Sequence, residues 1–186
     1  TPPPGFTSVI SEPSIANGGR DVFFTHNWYA AVSQDGGFSW SYVSPYADMS
    51  DFCCDQDLIY DAGRDLMIWS RQGPSVPSAE GFDYPHLALT NNHVVWTTNM
   101  FDSSFVRMVA FSWPLDALAA CDGFSYNFWW KETGWTWTPA QGGTDTVHIG
   151  DLVDSAGTFE ICEGDQALTS LTCSSIGIPS WPFTNR

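Results

Sequence analysis

Six polar residues stand at the starts of short apolar runs, where chemistry could be concentrated: Glu12, Asp55, Gln56, Tyr84, His86 and Asp145. Two carboxylates roughly 5 to 10 Å apart could serve as the acid and base of a glycosidase, and His86 beside Tyr84 could remove a proton next to a carboxylate in a lyase. The same side chains have a plainer use, bonding the backbone N–H groups of adjacent strands, because buried polar groups are as a rule satisfied. Cys53 and Cys54 come directly before Asp55. A bond between sequence neighbours closes a strained ring, so geometry alone favours two buried thiols. Cys162 and Cys173 are spaced to bridge adjacent strands, and Cys121 has no evident partner.

Asp48, Asp51, Asp55, Asp57, Asp61 and Asp65 crowd one stretch of chain, and oxygen-rich loops suit Ca²⁺. The regular Asp-x-Asp-x-Asp-Gly spacing of a calcium loop is missing, which leaves a solvated acidic loop as the plainer reading and no cofactor required. No His/Cys set has zinc spacing, and no phosphate-cradling Gly loop or Gly-x-Ser-x-Gly elbow occurs. Trp129-Trp130 and Trp135-Thr136-Trp137 could present ring faces to sugars or fill an interior; Trp135 and Trp137 alternate as on one strand face.

The elements that would position these groups are mostly strands. Asp21–Thr25, Asp57–Tyr60, Leu66–Trp69, His93–Thr97 and Val106–Phe111 are short, β-branched or aromatic, and bounded by turn formers. Several are apolar at consecutive positions, as in sheets buried on both faces. Pro114 to Ala120 reads as a two-turn helix, with proline in its first turn and Gly123 beyond its end. Ser33-Gln34-Asp35-Gly36-Gly37-Phe38-Ser39-Trp40 reads as a hairpin in which Asp35 turns back onto backbone N–H groups and the two glycines permit positive φ.

Four segments repeat a polar or proline-containing start, an apolar strand, a turn and a second strand: Glu12–Ala16, Asp55–Tyr60, Tyr84–Leu89 and Thr144–Ile149. Taken as the innermost strands of four successive β-propeller blades, they bring their starts together at one mouth of a central channel. The second blade looks short of its outer pair, since only the loop 73–80 follows its two strands, and the last looks incomplete near Trp181. Blades commonly take about 40 to 50 residues, so 186 residues hold four at most, either as a compact ring or as part of a larger one. A half-ring would leave apolar faces wet, which calls for a completing segment or further copies of the chain.

Composition narrows the partners. With 21 Asp plus Glu against 6 Lys plus Arg, the net charge of −15 repels nucleic-acid phosphates and anionic lipid, while neutral sugars and cations remain compatible. No apolar run approaches the roughly 20 residues of a bilayer span. Five cysteines in a lysine-poor chain lean towards an oxidising compartment, although the odd number weakens the argument.

The hairpin box, together with 27–37, Phe52-Cys53-Cys54-Asp55-Gln56, Asp61–Leu66 leading to Trp69, 82–90 and 97–101, resembles secreted microbial sialidase-like propellers of the Asp-box (BNR) kind. The resemblance implies an all-β propeller in an extracellular setting and assigns no reaction. It also strengthens the case for an oxidised Cys53–Cys54 pair, a rigid plate at the channel mouth on which a sugar ring could lie. True sialidases clamp a carboxylate with three arginines, whereas none of the arginines here starts an inner strand. The expectation is a glycan-binding or glycan-processing mouth lined by Glu12, Cys53, Cys54, Asp55, Gln56, Tyr84, His86 and Asp145. The competing expectation is a non-catalytic structural or adhesion protein that assembles with copies of itself or another chain.

Overall fold

A computed structural model describes residues 12–73, 81–152, 157–177 and 179; the loop 74–80 and the end near Trp181 lie outside them. The fold is all-β with four antiparallel sheets. β1 (Ser14–Gly18), β2 (Asp21–His26), β3 (Tyr29–Ser33) and β4 (Ser41–Val43) pair in chain order as the first sheet. β5 (Gln56–Asp61) and β6 (Leu66–Arg71) form a two-stranded second sheet. β7 (Gly81–Leu89), β8 (His93–Asp102), β9 (Ser104–Pro114) and β10 (Asn127–Lys131) make the third. β11 (Thr138–Pro139), β12 (Thr146–Leu152), β13 (Thr158–Asp165) and β14 (Leu171–Gly177) make the fourth.

Successive sheets lie against one another through their first strands: β1 and β2 against β5, β5 against β7, and β11 against β7 and β8. Apolar side chains fill the layers between them. Leu87, Val94, Trp96 and Leu115 meet Ile59 and Ile68 between the second and third sheets. Val95, Met108 and Ala110 meet Trp137, Val147, Ile149, Cys162 and Leu168 between the third and fourth. Each fully buried aliphatic side chain of this size is worth about 1.5–3 kcal/mol, so these layers supply most of the attraction between sheets.

Polar side chains at the start of β5 set how the first three sheets meet. Gln56 donates from Nε2 to the carbonyls of His26 and Tyr29, at 2.6 and 3.1 Å, and its Oε1 accepts from the Trp69 indole at 2.9 Å. Asp57 accepts from Ser14 of β1 at 2.7 Å and from the Leu87 N–H of β7 at 2.7 Å.

The box between β3 and β4 folds as its residue types require. Asp35 accepts from the N–H and hydroxyl of Ser39 and from the Ser33 hydroxyl, Gly36 and Gly37 have φ of 80° and 96°, and the Trp40 indole donates to the Gly37 carbonyl. These donors hold the Asp35 carboxyl down at about 2, with the Ser39 hydroxyl the largest cause. The helix α1 (Leu115–Ala120) follows Pro114 as expected, but it is Cys121, at φ 55°, that takes the left-handed position at its end. Cys162 and Cys173 face each other on β13 and β14 and are bonded.

Among the described residues the second sheet has two strands, while its neighbours have four. No strand of the described residues covers the outer part of the third sheet's face on that side. Phe111 stacks on Trp113 and Phe128, and Tyr126, Phe128 and Trp130 are about half exposed there. Arg107 lies over the Trp130 ring.

Gln56→Ala leaves two carbonyls and an indole N–H without their partner and is expected to cost about 1–3 kcal/mol in denaturant unfolding. Asp35→Ala is expected to lower Tm at pH 7. A carboxyl held below its ordinary 3.8 stabilises the fold above that pH, so the difference from wild type shrinks as pH falls through 3.8 towards 2, which a pH series of thermal melts reads directly.

Candidate functional site

The entries of β1 and β5 and the bulged middle of β7 converge on one cavity of about 230 Å³, lined by Glu12, Ser14, Asp55, Asp57, Tyr84 and His86 among others; Tyr84 and His86 do not start their strand, because β7 begins earlier, at Gly81. Asp55 is its hub. One carboxylate oxygen accepts from the Asn27 amide at 3.1 Å and the other from the Tyr84 N–H at 3.0 Å. The same Asn27 amide donates to Glu12 at 3.3 Å, and its oxygen accepts the Glu12 N–H at 3.0 Å.

Asp83 completes the cluster. Burial and then a hydrogen bond with Asp55 push its carboxyl up to about 6, so below that pH Asp83 holds a proton that it donates to the Asp55 carboxylate. Burial, followed by contact with the Glu12 carboxyl, also raises Asp55; the Tyr84 N–H and Asp83 pull the other way. Burial lowers His86, which is neutral at pH 7; its ring sits edge-on to Tyr84 with centroids 4.6 Å apart.

The backbone around this cluster is strained. Trp28, Cys54 and Tyr84 have φ of 71°, 59° and 58°, a region costly for bulky side chains. The β7–β8 register slips between Asp83 and His86, a bulge that aims the Tyr84 N–H at Asp55 and sets Asp83 beside it. Cys53 and Cys54 are bonded, contrary to the two free thiols that geometry favoured. Cys53 opens onto an adjoining cavity of about 320 Å³ with Phe82, Asp83 and Phe101.

Asp145 does not belong here. The innermost strand of the fourth sheet is β11, and the 144–149 run forms its second strand, β12, which is antiparallel to β11. The start of β12 therefore lies at the other end of the sheet. Asp145 accepts there from Asn91 of the β7–β8 turn at 3.0 Å. Arg64 occupies that end too, bonded to Asp61, Asp116 and the Asn91 carbonyl.

The dense aspartates between 48 and 65 do not form one ligand set. Asp57, Asp61 and Asp65 are taken up by protein donors, on Ser14, Leu87, Gly63, Arg64 and Tyr60. The two tryptophans of 135–137 part company: Trp137 is in the core, and Trp135 is 62% exposed and stacked on Phe105. Strand alternation fails there because β11 starts only at Thr138. Asn27 and Asp83 went unnoticed in the sequence. Asp83 precedes a tyrosine held at positive φ, which residue types do not announce.

No family model, no curated protein and no solved structure matches this chain.

A carboxyl whose folded-state value is raised stabilises the fold below its unfolded value and loses that contribution as pH rises through the folded one. For Asp83 the window runs from 3.8 to about 6. Asp83→Asn is expected to flatten the stability profile across this window. It should be more stable than wild type at pH 7 by on the order of 1 kcal/mol, after allowing for the solvent that reaches Asp83.

Proposed function

We propose that this chain is a secreted, sialidase-like Asp-box β-propeller portion that binds a neutral glycan at the mouth formed by the entries of β1 and β5 and the bulge of β7. One observation carries the reading: the carboxyls of Glu12, Asp55 and Asp83, drawn from three distant stretches of chain, crowd the junction of two adjoining cavities, Glu12 and Asp55 lining one and Asp83 the other, on a backbone strained at Cys54 and Tyr84. Like charges at close range and left-handed tyrosine are costly, and such costs gather at functional sites. Acceptor oxygens, the His86 ring, the edge of Tyr84 and the Cys53–Cys54 plate supply the mix of hydrogen bonding and flat apolar surface that a sugar ring uses.

Binding is favoured over hydrolysis. The carboxyls of a retaining glycosidase stand about 5–5.5 Å apart and those of an inverting one farther. Asp55 is in hydrogen-bond contact with Asp83 and with Glu12, too close to admit a glycosidic bond between them. Among the described residues no arginine lines this cavity to meet a sialic-acid carboxylate: Arg64 is at the far end, and Arg71 is engaged with Trp69 and the carbonyls of Pro45 and Ala47. Two disulfides accord with an oxidising compartment. The hairpin box and the stacking of sheets through their first strands support the propeller reading.

A structural or adhesion role is the second reading. It is favoured by Gln56, whose polar atoms are all engaged within the protein. A glycan array followed by calorimetry separates the two. Binding of neutral glycans, weakened about tenfold or more (about 1.4 kcal/mol) by His86→Ala and by Asp83→Asn, supports the mouth as the site. An array without hits, or binding that ignores both substitutions, favours the structural role.

A further inference from the structure

Among the described residues, the first and fourth sheets each pack one face on a neighbouring sheet and carry exposed side chains on the other. In the fourth, Val147, Ile149 and Cys162 face the third sheet. Alternation puts Ile161, Glu163, Asp165, Thr172, Ser174 and Ile176 on the opposite side, around a concavity of about 620 Å³ that Asp145 also lines. In the first sheet, Phe23 meets Trp69 of the second. The cross-strand row Ile15, Phe24, Ala31, Tyr42 therefore lies on the far side, and Ile15 is 62% exposed.

The two open faces complement each other. The row on the first sheet is apolar and uncharged, and the fourth-sheet face offers Ile161 and Ile176 with acidic residues at one end. Asp145 and Asp165 sit at the end where β11 finishes. Exposed Arg20 sits in the β1–β2 turn, where β1 finishes. These ends correspond: Ser14 meets Asp57 at the starts of β1 and β5, and the turns that follow β5, β7 and β11 are linked through Arg64, Asn91 and Asp145.

We propose that two copies of this chain close head to tail, the first sheet of each stacking on the fourth sheet of the other. The contact repeats the stacking already present between sheets within the chain, and it places Arg20 opposite the acidic end of the partner face. It rests on the propeller reading above. Propellers typically hold about 4–8 blades, so two copies of four sheets fill the range and a third would exceed it. Closed about a twofold axis, the pair leaves neither face without a partner. The second copy also gives the glycan mouth its opposite wall.

The full chain is measured by light scattering after size exclusion at physiological ionic strength. There a Debye length of about 8 Å screens the repulsion between two chains of net charge −15. The expected mass is twice 20.5 kDa. Ile15→Asp and Ile176→Asp alter exposed positions, so each should keep the wild-type circular dichroism and Tm while running as a monomer. Mixed in equal amounts, the two variants retain one intact pair of faces and should recover a dimer. A wild-type monomer, or variants that dimerise alone, overturns ring closure. So does a mixture that stays monomeric. Glycan binding is read separately on the same samples, so a monomer that still binds sugar refutes the closure and leaves the site reading intact.

Discussion

Asp55, Gln56 and Asp57 are consecutive residues at the start of β5, and among them they join three sheets. Asp55 reaches Asn27 and the backbone of Tyr84, Gln56 the carbonyls of His26 and Tyr29, and Asp57 the Ser14 hydroxyl and the Leu87 N–H. A two-stranded sheet has little area of its own to bury, so its position depends on directional bonds more than on contact. Apolar layers would tolerate a small slide between sheets; a carboxylate that accepts from one neighbour on each side would not.

The same bonds create the crowded site. Holding the entries of β1 and β5 against the bulge of β7 brings Glu12, Asp55 and Asp83 within reach of one another, and burial with this crowding raises the carboxyls of both Asp55 and Asp83. The bulge in β7 and the bonded cysteine pair are local departures from strand geometry that aim these groups. Architecture and pocket are thus products of one arrangement.

The residue pattern made much of this legible. The hairpin box, the runs that became β2, β5, β6, β8 and β9, the short second sheet and the Cys162–Cys173 bond follow from turn chemistry, β-branched runs and spacing. The mouth was legible where a polar residue directly precedes a strand, as at Asp55 and Gln56. It failed at Asp145, because β11 is only two residues long and the following run looks just as much like a first strand. Asn27, in the β2–β3 turn, and Asp83, beside a bulge, depend on pairings remote in sequence. The Cys53–Cys54 bond is set by the left-handed backbone at Cys54, which no residue type there advertises.

The unfinished second sheet has a colloidal consequence. Among the described residues β6 has one strand edge unpaired, near a shelf of Phe111, Phe128 and Trp130, the kind of surface on which chains aggregate edge to edge. At neutral pH the surplus of carboxylates opposes non-specific contact between such edges, and that protection fades on acidification towards the isoelectric point near 4.1. Mild acid would thus promote precipitation of a chain that is still folded, with solubility failing before structure does.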